Sequence, residues 1–152
     1  MIGFLGEYEA TVDAKGRFLL PAGIKKQLPE EYSGQFVINR GFEKCLTLYP
    51  LTSWEPIING ISKLNDFDPK VREFRRYFFN GATQVELDSA SRLLLPPNLK
   101  EHAGLEKDIV IVGAIKKIEI WDKIKYKQFF ESISPEYFSE LAKEVIPVSL
   151  EL

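Results

Sequence analysis

Two stretches of this 152-residue chain place a carboxylate four residues ahead of a guanidinium: Asp13-Ala14-Lys15-Gly16-Arg17 and Asp88-Ser89-Ala90-Ser91-Arg92. An Asp that opens a tight turn accepts hydrogen bonds from the backbone N–H groups of that turn and stiffens it. Gly16 supplies the positive φ that a short hairpin loop demands. Lys15 then occupies the loop tip, and Arg17 leaves the turn with its guanidinium near Asp13. Arg is the side chain suited to bidentate contact with phosphate or with guanine edges in the major groove. A capped turn with an incidental ion pair is the plainer reading of one such loop. It needs Asp and Gly, however, and has no use for an Arg at the same place in a second copy.

The duplication extends well past the turn. Asp13 and Asp88, Arg17 and Arg92, and Pro21 and Pro96 are each 75 positions apart, as are Lys25 and Lys100, and Gly6 and Gly81. Further on, Lys44-Cys45-Leu46-Thr47-Leu48-Tyr49 matches Lys116-Lys117-Ile118-Glu119-Ile120-Trp121 at an offset of 72, so the second copy is three residues shorter in between. Self-similarity at fixed spacing is the mark of a repeated structural unit.

Each copy predicts the same elements in the same order. Glu7–Val12 and Thr83–Leu87 alternate as half-buried strands do. After each turn comes a short apolar strand, Phe18–Leu20 or Leu93–Leu95, and then Pro21 or Pro96, which stops the strand and can open a short helix. Phe36–Asn39 with Leu46–Tyr49, and Ile109–Val112 with Ile118–Trp121, read as hairpins. A helix closes each copy, the first capped by Ser53 with Pro56 in its opening turn, the second capped by Asp122. Asp68-Pro69 starts a linking helix to about Phe79, and Ser134-Pro135 starts a last helix bearing Tyr137, Phe138, Leu141 and Val145. The class is α+β: two tandem β-α-β-β-α units, residues 1–66 and 81–133, a linking helix at 67–80, and a C-terminal helix and tail at 134–152.

Composition excludes several alternatives. His102 is the only histidine and Cys45 the only cysteine, so a histidine-based triad or a metal cluster of the usual ligands has little to draw on. There is no phosphate-binding or dinucleotide glycine motif, no cofactor is implied, and an enzyme is not expected. No apolar run approaches the length that spans a bilayer, and Met1-Ile2-Gly3-Phe4-Leu5 lacks the basic start of a signal peptide, so a cytoplasmic chain without a membrane partner is expected. One cysteine fits a reducing compartment. The net charge is −2 overall, yet residues 128–152 hold five acids and one base, a net of −4, which leaves +2 on residues 1–127. An acidic tail masks a mildly basic body, and phosphate binding would need the cations gathered on one face.

Other charged and aromatic groups read more blandly. Arg72, Arg75 and Arg76 suit a solvated face or a set of ion pairs between subunits. Lys123, Lys125 and Lys127 spread around a helix as surface. Phe74, Tyr77, Phe78 and Phe79 suit core or subunit contact better than a base-stacking platform. His102 suits a surface or packing role.

The segments Asp13 to Pro21 and Asp88 to Pro96 resemble the paired signatures of the MraZ family, as do the Ile118-Glu119-Ile120-Trp121 strand and the Gly3–Gly6 start. The resemblance covers nearly the whole chain. It implies that each half is an AbrB-like or MazE-like unit and that the two form a pseudo-two-fold, swapped-hairpin (double-split) β-barrel with peripheral helices. It also implies a DNA-binding transcriptional regulator associated with the nucleoid. Such a regulator assembles as a ring-shaped homo-oligomer of about eight subunits and binds direct repeats of double-stranded DNA upstream of its own cell-division and cell-wall operon. Arg17 and Arg92 would be the principal contacts, with Lys15 nearby and Asp13 and Asp88 bracing them; by their spacing alone, Lys25 and Lys100, one helical turn or two past the signature, suit backbone phosphate. The family commonly has Gly before the second Arg, where this chain has Ser91. Because Ser tolerates positive φ poorly, a different second turn is expected, with Arg17 the stronger contact. An antitoxin-like, protein-binding module is the competing reading, favoured by the acidic C-terminal helix.

Overall fold

The computed structural model describes residues 3–151; Met1, Ile2 and Leu152, the outermost positions of the expected first and last units, lie outside it. Eight strands and six α-helices follow in the order β1 (Glu7–Thr11), β2 (Arg17–Leu19), α1 (Ala22–Lys25), β3 (Gln35–Arg40), β4 (Leu46–Pro50), α2 (Leu51–Ser62), α3 (Pro69–Phe79), β5 (Thr83–Glu86), β6 (Arg92–Leu94), α4 (Pro97–His102), β7 (Asp108–Gly113), β8 (Ile118–Asp122), α5 (Lys123–Glu131) and α6 (Pro135–Val145). The α+β class is present, and each copy runs β-β-α-β-β-α, the two strands around the Asp turn standing where the expected β-α-β-β-α unit has one.

Six strands form one antiparallel sheet in the order β1-β7-β8-β4-β3-β5, and β2 pairs with β6 in a separate two-stranded ribbon. Exchanging β1 with β5, β3 with β7 and β4 with β8 reverses that order onto itself, so the topology carries the two-fold relation of the sequence repeat. Each half gives its first strand to the other: β1 lies on β7, with Glu9 opposite Val110, and β5 lies on β3, with Val85 opposite Phe36. The strands on either side of the Asp13 turn therefore part almost at once. Between their backbones, the Val12–Phe18 bridge and the Asp13 N–H to Arg17 carbonyl bond join them.

The core lies between ribbon and sheet. Phe18, Leu20, Leu93 and Leu95 point inward against Phe36, Ile38, Leu46, Leu48, Ile109, Ile111, Ile118 and Ile120, all buried. Burying a side chain of this kind contributes about 1.5–3 kcal/mol, so the ribbon is held down by four anchors. A second cluster, Val37, Tyr49, Trp54 and Phe78, fixes α2 and α3 to the opposite face of β3 and β4, with Trp54 stacked on Phe78 at 5.6 Å between centroids.

Helix ends follow their residues, with one exception. Asp68, Asp122 and Ser134 each accept a hydrogen bond from a backbone N–H in the first turn of α3, α5 and α6. Ser53 does not cap α2. The helix begins two residues earlier at Leu51 behind Pro50, which has no side-chain acceptor to offer, and Ser53 lies inside it. The strand-ending proline, rather than the first hydroxyl, sets the boundary because its fixed φ near −54° leads straight into the helix. The C-terminal carbonyls of α3 are closed from the sheet: Asn39 donates to the Phe78 carbonyl at 3.2 Å, and Arg40 donates to those of Tyr77 and Asn80. No helix among the described residues is long and apolar enough to cross a membrane.

Candidate nucleic-acid interface

The first turn is built by one carboxylate. Asp13 Oδ1 accepts from the backbone N–H of Lys15 and of Arg17, both at 2.9 Å, while Oδ2 accepts from Arg17 Nε at 3.0 Å. The Asp13 carbonyl accepts from the Gly16 N–H at 3.0 Å, with Gly16 at φ +83°. The backbone N–H of Arg17, ahead of its side chain, holds the Asp13 carboxyl below its ordinary value of 3.8. A carboxylate that accepts several N–H bonds is an ionised one.

The second turn repeats every one of these bonds. Asp88 Oδ1 accepts from the N–H of Ala90 and Arg92, each at 2.9 Å, Oδ2 accepts from Arg92 Nε at 2.9 Å, and the Asp88 carbonyl accepts from the Ser91 N–H at 3.0 Å. Its carboxyl is likewise lowered, first by the Arg92 backbone N–H. The expectation of a different second turn is corrected here. Ser91 takes φ +60°, the left-handed conformation that Gly16 takes in the first copy. The Asp88 brace fixes the turn on both sides of Ser91, so the local cost of about 1–2 kcal/mol for a non-glycine residue is absorbed and the geometry kept. Lys25, from the first copy, donates to Ser91 Oγ at 2.6 Å and joins the two halves at this point.

The two turns also brace each other. Leu95 N–H donates to the Gly16 carbonyl at 2.9 Å, and Leu20 N–H donates to the Ser91 carbonyl at 3.0 Å. Each loop thus rests on the end of the other copy's ribbon strand. Along β2 and β6 the pleat buries Phe18 and Leu93 and turns Arg17, Leu19, Arg92 and Leu94 outward, with Arg17 opposite Leu94 and Leu19 opposite Arg92. Side-chain exposure is 27% for Arg17 and 35% for Arg92, so neither guanidinium is buried. Among the described residues, each contributes only its Nε to a side-chain partner, its own Asp. With both guanidiniums oriented by a fixed carboxylate on one outward face, the remaining N–H donors form a pre-set pair for an anionic or acceptor-rich ligand.

The other sequence-expected residues divide. Lys15 is exposed at the first loop tip, and Lys25 sits beside the second turn, so both border the ribbon. Arg75 is no solvated cation: it donates to the carbonyls of Ile61 and Leu64 at 2.7 and 2.9 Å and pairs with Asp66, closing the α2–α3 connection. Lys123 pairs with Glu9 at 3.0 Å across an open groove of about 560 Å³ between β1 and α5, where Tyr126 also meets Glu7. His102 lies 3.4 Å from the Tyr77 hydroxyl. Glu43, Cys45 and Glu119 bring ligand atoms within 4.8 Å of one another. Burial, and then the two carboxylates, push the Cys45 thiol up to about 12, which disfavours the thiolate a metal would need.

Sequence reasoning missed the outward leucines. It read Phe18–Leu20 and Leu93–Leu95 as uniformly apolar strands, whereas Leu19 and Leu94 are 58% and 56% exposed between the two arginines. The period-two alternation beginning at Arg17 and Arg92 was the available signal.

The class defined by this fold and site is an internally duplicated α+β protein with a carboxylate-braced arginine turn in each half, both on one exposed ribbon. The chain matches the family described as "MraZ protein, putative antitoxin-like" over residues 3–77 and again over 78–147. It is 48% identical over 143 residues to the transcriptional regulator MraZ of Cytophaga hutchinsonii, covering 94% of each chain. Identity to the protein of the same name from Christiangramia forsetii is 45% over 147 residues, 96% of this chain and 94% of that one. The Acetivibrio thermocellus protein of that name is 40% identical over 139 residues, 90% of this chain and 94% of its own. The chain belongs to the MraZ family.

Proposed function

We propose that this protein is a transcriptional regulator that binds double-stranded DNA sequence-specifically through its two Asp-x-x-x-Arg turns. The single observation that carries the reading is the placement of Arg17 and Arg92, each oriented by its own aspartate, on one outward face of a two-stranded ribbon. Two strands about 4.8 Å apart enter a major groove about 12 Å wide. Lys15 and Lys25 border that face and suit backbone phosphates. The names of the relatives favour the same role. In this reading the paired halves form a swapped-hairpin barrel of the AbrB type, and the sites are direct repeats upstream of the protein's own operon, on the nucleoid.

The protein acts as a ring of copies in this reading. A chain of net charge −2 neutralises few phosphates by itself. A ring offering one ribbon after another to successive repeats makes later contacts intramolecular, and avidity adds about 10²–10⁴ in affinity. The helix α6 supports assembly: Tyr137, Phe138 and Val145 are exposed along it and none of its residues is buried. Binding of the purified protein to its own upstream DNA, against random DNA as competitor, tests the reading; equal affinity for both counts against it.

A second reading, a protein-binding module of the antitoxin type, draws on the acidic character of α6, where Glu136, Glu140 and Glu144 are opposed by Lys143 alone. A stoichiometric protein partner recovered with no retention on operator DNA would favour it.

A further inference from the structure

We propose that Leu19 and Leu94 are specificity residues that read thymine C5-methyl groups between the two arginines; the inference rests on the DNA-binding reading above. The pleat puts Arg17, Leu19, Arg92 and Leu94 on one face of the ribbon and commits Phe18 and Leu93 to the core. Bonds from Leu20 N–H to Ser91 and from Leu95 N–H to Gly16 flank the ribbon and set its hydrogen-bonding phase. That phase leaves Arg17 opposite Leu94, and Leu19 opposite Arg92, at the narrow non-hydrogen-bonded positions where side chains approach most closely. Each exposed leucine thus lies directly opposite an arginine that belongs to the other copy.

Any occupant that buries these leucines must also accept two cations within one short ribbon. A purely apolar partner would strand both guanidiniums at the cost of desolvation. The major groove offers the required mixture: guanine O6 and N7 accept bidentate arginine, and thymine presents the one methyl group on the groove wall. The spacing agrees. Residues two apart on a strand are separated by about 6.6–6.8 Å, close to two base-pair steps at about 3.4 Å each. A thymine methyl lying about two steps from each contacted guanine is the expected pattern, repeated by the two-fold relation of β2 and β6.

Operator DNA protected by the protein is resynthesised with single thymine-to-uracil replacements, which delete the methyl and leave the base pair intact. Replacement at one or two thymines about two steps from protected guanines is expected to weaken binding about four-fold each, the worth of one buried carbon. Leu19→Ala and Leu94→Ala should bind the natural operator less tightly and become indifferent to those replacements, while Leu19→Met and Leu94→Met retain the sensitivity. Both leucines are exposed, so the variants are expected to fold; thermal melting and assembly mass confirm this. Equal binding of uracil and thymine operators, with Arg17→Ala and Arg92→Ala still weakening binding, overturns the inference and leaves the DNA reading standing. Loss of assembly in the leucine variants also overturns it, in favour of a contact between copies. Full operator affinity in both arginine variants overturns the DNA reading itself and the inference with it.

Discussion

Lys25 Nζ lies 2.6 Å from Ser91 Oγ, so a lysine of the first repeat rests on the turn of the second, at the one residue of that turn held at an unfavourable φ. Replacing Ser91 with Gly removes the left-handed penalty and forfeits one exposed hydrogen bond. The penalty is about 1–2 kcal/mol for an L-residue, and an exposed bond of this kind is worth about 0–1 kcal/mol. Ser91→Gly should therefore leave stability unchanged or raise it by about 1 kcal/mol, read as the midpoint of urea unfolding. Ser91→Val, β-branched at positive φ, should lower it. A marked loss in the glycine variant would mean that the Lys25 contact, and not the Asp88 brace, holds the turn.

The two turns hold their arginines with the same set of bonds. Arg17→Ala and Arg92→Ala should each weaken operator binding by about 10- to 100-fold, the range for losing one bidentate base contact, with assembly mass unchanged. Arg17→Lys should not rescue, because an ammonium cannot make the planar fork. A gel-shift titration in which only the Arg17 variant is impaired would show that the second ribbon end does not reach the duplex.

How much of this was legible in the sequence depends on the residue. Asp13, Asp88 and the arginines four positions on announced their bonds, because an Asx turn is local and needs no tertiary information. Asp68, Asp122 and Ser134 announced helix starts for the same reason. The exchange of β1 and β5 between halves was not readable from alternation, since Glu7–Thr11 looks the same whichever strand it pairs with. The exposure of Leu19 and Leu94 was legible only in the alternation that begins at Arg17 and Arg92, since the three apolar residues taken alone are too few to display a period. Lys25 was placed beside the signature by sequence, but its reach to Ser91 follows from the packing of one copy on the other. The turn at Ser91 departs from what propensity alone predicts because the Asp88 carboxylate overrides it.

The lowered values of Asp13 and Asp88 fix a pH dependence. Their folded values lie below 3.8, so the bracing they contribute is fully present above that value and is lost as pH falls through the folded one. Both turns should remain intact from about pH 5 to 8, with any change in DNA affinity across that range arising elsewhere. The amide resonances of Arg17 and Arg92, which report hydrogen bonds to the two carboxylates, should shift only below about pH 4. A midpoint above 4 for either amide would mean that the carboxylate is not held as described.

Cys45 is buried beside Glu43 and Glu119, with its thiol pushed up to about 12. Thiol reagents attack the thiolate, so at pH 8 the native protein should react negligibly, and reaction should appear only with global unfolding in urea. Prompt labelling of the folded protein would indicate that the β3–β4 connection opens locally on its own.

Assembly should be visible in both mass and DNA binding. Residues 134–152 include α6, whose Phe138 and Val145 are 66% and 72% exposed, and whose three glutamates face a single lysine. No residue of α6 is fully buried in the chain, so deleting 134–152 should leave the two-repeat body folded. If α6 joins copies into a ring, the deletion should reduce the solution mass toward that of one chain. It should also abolish the gain from multiple operator repeats. The full-length protein should lose affinity cooperatively as repeats are cut from four to one, and more steeply at higher salt, because each contact releases counterions. In the truncated protein, four repeats and one should bind with nearly the same per-site affinity. Unchanged mass after truncation would move the interface to another face, and a flat response of the intact protein to repeat number would remove avidity as the source of its affinity.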